Sequence, residues 1–102
     1  MARLLAMYKT PADKSAFDAY YFSKHVPLAK TIPGLTKYEV NSSPVMGLEG
    51  PAPIYLVATL HFASMATLGA GLGSPEGRAT AADLGNFAGA GVDVFMFDDK
   101  VV

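Results

Sequence analysis

The longest uninterrupted β-type run, rich in β-branched and aromatic side chains, is Ile54–Phe62, fenced at its start by Pro51 and Pro53. Successive strand side chains point to opposite faces. Ile54, Leu56, Ala58, Leu60 and Phe62 therefore share one face, and Tyr55, Val57, Thr59 and His61 the other. The same period of two marks residues 4–9, 35–42 and 92–97 as strands. In the second of these, Lys37 and Glu39 oppose Tyr38 and Val40, a half-wet pattern that predicts an edge position. Between the first two strands the spacing lengthens. Phe17, Tyr20, Tyr21, Lys24 and Leu28 recur at helical intervals, with Asp13 as the N-cap. Pro27 lacks an amide hydrogen and crowds the carbonyl of Ser23, which predicts a kink or an end there, with a short further turn at residues 28–30. Three prolines and two glycines predict a loop over residues 43–53. Ser64 caps a second helical segment through Met65, Leu68 and Leu72, weakened by Gly69, Gly71 and Gly73. Ser74-Pro75-Glu76 restarts it, Leu84 and Phe87 close it, and Gly85-Asn86 is the stop signal.

The order is β-α-β-β-α-β, which predicts an α+β fold: one antiparallel sheet with both helical segments on one face, the ferredoxin-like split β-α-β arrangement. Helices on one face leave the other open. Yet the open face would carry Leu5, Met7, Tyr55, Val57, Phe95 and Phe97. At about 1.5–3 kcal/mol for each large apolar side chain, leaving them in water forgoes on the order of 10 kcal/mol. That is comparable with the whole stability of a domain. The pattern predicts a homodimer through the open sheet faces, an isologous contact.

The 102 residues make one domain, 1–102. With 51% hydrophobic and 17% charged residues, the chain is not disordered. A net charge of −1 gives no basic excess for nucleic acid. The absence of cysteine removes disulfides, thiolate metal sites and thiol nucleophiles. No stretch approaches the roughly 20 apolar residues that span a bilayer. Residues 1–8 are apolar but short, broken by Arg3 and followed by Lys9 and Pro11. They read as a strand rather than a signal peptide, with a cytoplasmic location as the expectation.

Tyr21 and His25 stand four apart on the first helix and continue the face of Phe17. Imidazole titrates near neutrality, so His25 is the candidate proton shuttle and Tyr21 its hydrogen-bonding partner. The alternative is that Tyr21 packs and His25 caps carbonyls freed by Pro27. His61, on the second face of the long strand, reads as a hydrogen-bonded histidine at the dimer contact. Strand parity puts it across the sheet from His25, and no HxH or HExxH spacing is present, so no metal site is expected. Asp83 ends the second helical segment, where a carboxylate opposes the helix dipole. Arg78, Lys24 or a tyrosine hydroxyl is its expected partner, in a structural pair or as the group that orients His25. Asp98 and Asp99 read as solvated. The glycines at 69, 71 and 73 lack the strand and lysine of a phosphate loop, and Ser64 and Ser74 lack a nucleophile elbow.

Several of these residues, at this spacing, resemble the EthD family. They are Tyr8-Lys9, Pro11 and Asp13; Phe17 and Tyr20-Tyr21; His25-Val26-Pro27-Leu28-Ala29 and Pro33-Gly34-Leu35; Phe62 and Met65; and Ser74-Pro75-Glu76-Gly77, Asp83-Leu84 and Asn86-Phe87-Ala88. The resemblance implies a ferredoxin-like protomer that pairs into a dimeric α/β barrel. It also implies a role in degradation of small organic compounds or in polyketide tailoring. No haem, flavin or nicotinamide motif is present, so no cofactor is expected. Residues and resemblance together point to an enzyme or enzyme accessory with an apolar pocket between the first helix and the sheet. Phe17, Leu56, Leu60 and Phe87 would be its walls, beside Asp83. The ligand would be a small hydrophobic or aromatic molecule, and the chemistry isomerisation, dehydration or cofactor-free oxidation. The alternative is a non-catalytic binding or accessory protein for a hydrophobic metabolite or an oxygenase system.

Overall fold

The computed structural model describes residues 1–102. Its strands are β1 (Ala2–Lys9), β2 (Leu35–Val40), a miniature hairpin of β3 (Met46–Gly47) and β4 (Gly50–Pro51), β5 (Ile54–Phe62) and β6 (Val92–Asp98). Four of them form one antiparallel sheet in the order β2-β5-β1-β6. The helices are α1 (Lys14–Tyr20), α2 (Val26–Ala29), α3 (Met65–Gly73) and α4 (Pro75–Asp83). This is the α+β ferredoxin-like arrangement. Strand β5 has the bounds its pattern predicts and sits inside the sheet, and β2 lies at an edge.

Two expectations need correction. The first helix does not end or break at Pro27. A π-helical turn, Tyr21–His25, follows α1 directly, with the amide of Val26 bonded to the carbonyl of Tyr21 five residues back. That wide turn resets the ladder, so Pro27 falls in the first turn of α2, where a missing N–H costs little. The segment 43–53 is not purely loop. Met46 pairs with Pro51 and Gly47 with Gly50, and the amide of Ala52 closes onto the carbonyl of Val45 at 3.0 Å.

Helices α3 and α4 meet at Ser74, whose hydroxyl accepts the amide of Gly77 at 3.0 Å and donates to the carbonyl of Gly71. A Cβ on Gly77 would stand 2.2 Å from the Gly71 carbonyl oxygen, and one on Gly71 2.6 Å from that of Pro33. Those two glycines are spacers for a tight corner. Leu4, Tyr8, Phe17, Tyr21, Leu60, Phe62 and Leu68 form the core between sheet and helices. On the open face Leu5, Met7, Tyr55 and Val57 are half-buried, while Phe95 is 53% and Phe97 40% exposed. No helix is long and apolar enough to cross a membrane.

Candidate functional site

Where the π turn passes over β1, aromatic side chains collect. Tyr8 meets Phe17, Tyr21 and Phe87 with ring centroids 5.5–5.6 Å apart, and Phe17 stacks on Tyr21 at 5.6 Å. The His25 ring leans on Phe87 at 4.6 Å and on Tyr21 at 5.5 Å. Edge-to-face and offset contacts of this kind hold rings in fixed orientations.

Asp83 anchors the polar part of the cluster from the end of α4. Its Oδ2 lies 2.9 Å from His25 Nδ1, and its Oδ1 accepts from the Tyr20 hydroxyl at 2.6 Å and from the Asn86 amide at 2.9 Å. Burial works to raise the Asp83 carboxyl, but the bonds from Tyr20, Asn86 and His25 outweigh it and hold its pKa below the usual value. Of the partners expected for this acid, the tyrosine hydroxyl is present, supplied by Tyr20, whereas Arg78 and Lys24 do not pair with it, and His25 uses Nδ1 on the carboxylate instead of capping carbonyls. Burial drives the His25 pKa down, opposed by Asp83, and the net shift is downward. With Nδ1–H committed to a carboxylate, a neutral imidazole presents the Nε2 lone pair.

Beside this dyad lies a cavity of about 290 Å3 between α2, α4 and the sheet. Thirteen of its sixteen lining residues are hydrophobic, and the others are His25, Gly77 and Thr80. Leu4, Ala58 and Leu60 make its floor, Ile32 and Leu72 are side walls, and Val94 and Met96 of β6 line its open rim, 41% and 48% exposed. Tyr8 and Tyr38 also face it. Tyr38 shares a 2.6 Å hydrogen bond with the hydroxyl of Tyr21. Burial raises the pKa of all three phenols, so each hydroxyl keeps its proton.

Sequence reasoning brings His25, Tyr21 and Asp83 to one place, and the structure does too. It distributes them differently. His25 lines the cavity, Asp83 stands behind it, and Tyr21 is fully buried and reaches the cavity only through Tyr38. Of the four expected walls, Leu60 alone lines it. Phe17 and Phe87 belong to the aromatic cluster, and Leu56 borders a different cleft beside Tyr55 and Asp18. Tyr8 and Tyr38 escape sequence reasoning as site residues. Their signal was strand parity: each is a hydroxyl-bearing side chain on the apolar, helix-side face of its strand. His61 lies on the open face, paired with Glu39 and across the sheet from His25.

Comparison with known proteins matches residues 9–91 to the EthD domain model. An uncharacterized 11.0 kDa protein in the thcB–thcC intergenic region of Rhodococcus erythropolis is 41% identical over 103 residues, covering 100% of this chain and 98% of that protein. A crystal structure of an EthD (ethyl tert-butyl ether D) family protein from Bacillus halodurans superposes with a TM-score of 0.88 at 32% identity, covering 98% of this chain and 99% of that one. SnoaB, a cofactor-independent oxygenase from Streptomyces nogalater, shares the fold with a TM-score of 0.68 at 11% identity, over 99% of this chain and 94% of its own.

Proposed function

Because the chain belongs to the EthD family, we propose that it is a small-molecule enzyme whose substrate occupies the cavity beside His25, with His25 as the acid/base. The observation that carries this reading is the pairing of a buried Asp83–His25 hydrogen bond at 2.9 Å with a 290 Å3 apolar cavity that the same histidine lines. The carboxylate fixes the tautomer and stabilises an imidazolium as it forms. The cavity supplies an apolar site of the size that holds one or two rings. Proton-transfer chemistry of the isomerase, dehydratase or cofactor-free oxygenase type follows from that pair. The fold is shared with a cofactor-independent oxygenase, which supports the last of the three.

The functional unit in this reading is a homodimer through the open sheet face. Exposed Phe95 and Phe97 beside half-buried Leu5, Met7 and Val57 favour a second copy as the cover. Sedimentation at micromolar concentration should give twice 10.7 kDa, and Phe95→Asp should give the monomer. A wild-type monomer would remove the dimer.

The cavity is tested with 2-naphthol, a neutral two-ring fluorophore. Wild-type protein should saturably shift its emission. Ala81→Phe, a substitution on the cavity's exposed rim, should weaken the binding at least about tenfold by filling the space. Equal binding by both proteins would put the ligand elsewhere. His25→Ala should keep binding and lose proton transfer; unchanged activity would remove His25 from the mechanism, and binding with no turnover by the wild type would leave the non-catalytic role.

A further inference from the structure

Two polar atoms face the cavity with nothing to bond. The Tyr8 side chain is 2% exposed, and its hydroxyl has no protein hydrogen-bond partner. His25 is 3% exposed, and its Nε2 is likewise free, since only Nδ1 meets Asp83. Neither atom is sealed in the core, because the one sealed polar side-chain atom without a partner is Nη1 of Arg3. The little surface these two atoms expose therefore opens on the cavity that both residues line. Tyr38 adds a third polar group on the same wall.

Charge narrows the ligand. No lysine, arginine or carboxylate lines the space, and the negative Asp83 stands directly behind His25. A carboxylate ligand would lose its hydration, find no cation and face a like charge. Burial keeps the Tyr8 phenol protonated and holds the His25 imidazole neutral. The wall thus offers O–H donors at the tyrosines and a lone pair at Nε2. Its complement is a neutral molecule with a hydrogen-bond acceptor and a weakly acidic hydrogen close together.

We propose that the cavity takes a neutral, enolisable ketone of one or two rings, its carbonyl oxygen held by Tyr8 and Tyr38 and its α-hydrogen facing Nε2 of His25. This rests on the acid/base reading of His25 above and adds the substrate class and the role of Tyr8. His25 Nε2 takes the α-proton. The C–H electron pair becomes the new C=C bond, and the carbonyl π pair moves onto oxygen. The tyrosine hydroxyls hydrogen-bond the resulting oxyanion, an interaction stronger in the transition state than in the ketone. Return of the proton from the imidazolium to carbon or to oxygen restores the neutral histidine. No electrons leave the pair, and no oxidant is needed.

The probe is 1-tetralone in D2O at pH 7, with hydrogen–deuterium exchange at its α-carbon followed by proton NMR. 1-Naphthoate serves as the anionic two-ring control for binding. Wild-type protein should accelerate exchange, and His25→Ala should return it to the buffer rate. Tyr8→Phe removes a hydroxyl that bonds no protein group, so it should leave the fold intact and slow exchange about 10²-fold. Tyr38→Phe is the second arm, chosen because its loss acts on the same oxygen from another strand. 1-Naphthoate should bind at least about tenfold more weakly than the ketone. Exchange that requires His25 but is unchanged in both tyrosine variants, or naphthoate bound as well as tetralone, overturns this proposal and leaves the acid/base reading standing. Exchange no faster than in buffer, or undiminished in His25→Ala, overturns both.

Discussion

Asp83→Asn is the sharpest perturbation available, because it keeps the shape of the site and changes one charge. In the native site Oδ2 accepts from His25 Nδ1 at 2.9 Å, while Oδ1 takes the Tyr20 hydroxyl and the Asn86 amide. An asparagine oxygen keeps the latter two donors. Its NH2 group then faces His25, so Nδ1 must become the acceptor, and the proton moves to Nε2. The cavity loses its lone pair and gains a donor. Proton abstraction should fall by about 10²–10⁴-fold, the range that a positioned general base supplies. Stability should fall much less. Exchanging a charge-assisted His25–Asp83 bond for a neutral one costs about 1–1.5 kcal/mol. The variant is spared the burial of a carboxylate, which offsets part of that cost. Against the roughly 5–15 kcal/mol of a typical domain, the fold survives. Two measurements settle it together: 15N-resolved NMR of the His25 ring for the tautomer, and 1-tetralone exchange for the chemistry. An Asp83→Asn protein with the proton still on Nδ1 and exchange undiminished would falsify the dyad. So would one that fails to fold, since the calculated loss is small.

Four further outcomes follow from the structure. Because the His25 pKa is lowered in the folded state, the unfolded chain binds the extra proton first. The stability this neutral histidine contributes is present above about pH 6.5 and declines as pH falls below it. Denaturant midpoints from pH 5 to 8 should show that slope in wild type and lose it in His25→Gln. Buried Tyr8 and Tyr21 have raised pKa values, so their contribution is present below about pH 10 and lost as pH rises above it. Alkaline denaturation should be shallower in Tyr8→Phe, and an unchanged slope would contradict the burial. Gly77→Ala places a Cβ 2.2 Å from the Gly71 carbonyl and should cost about 1–3 kcal/mol by overpacking. Gly69→Ala, with open space around it, should be neutral or stabilising by thermal melting.

The parts of this fold that rest on a period of two were legible. The flanking prolines give the start of β5, and parity gives the edge position of β2 and the separation of His25 from His61 across the sheet. Parity also contained Tyr8 and Tyr38 as inward-facing hydroxyls, but nothing local says that a void lies above them. That void opens between α4 and β6, where Thr80 and Ala81 face Val94 and Met96 across it, a long-range packing result. It leaves Phe17 and Phe87 in the aromatic cluster and brings Thr80 and Ala81 to the cavity wall. The helix carrying His25 was legible in position but not in pitch. Pro27 announces a disturbance, and chain chemistry at that point permits an end, a kink or a wide turn. The wide turn is the winding that sets Tyr21 against Tyr8 and His25 against Phe87 and Asp83.

That wide turn makes chain length here a functional variable. A π turn houses one residue more than an α-helical stretch of the same rise. One residue inserted into ordinary helix turns everything beyond it by about 100°, whereas the wide turn absorbs its extra residue locally and leaves the flanking helices facing as they would without it. Deleting one residue among positions 21–25 would return the turn to ordinary winding and change which side chains face the sheet within it, where Tyr21 and His25 sit. For engineers grafting this helix, and for anyone reading natural insertions and deletions in it, the count of residues between tyrosine and proline matters as much as their identity.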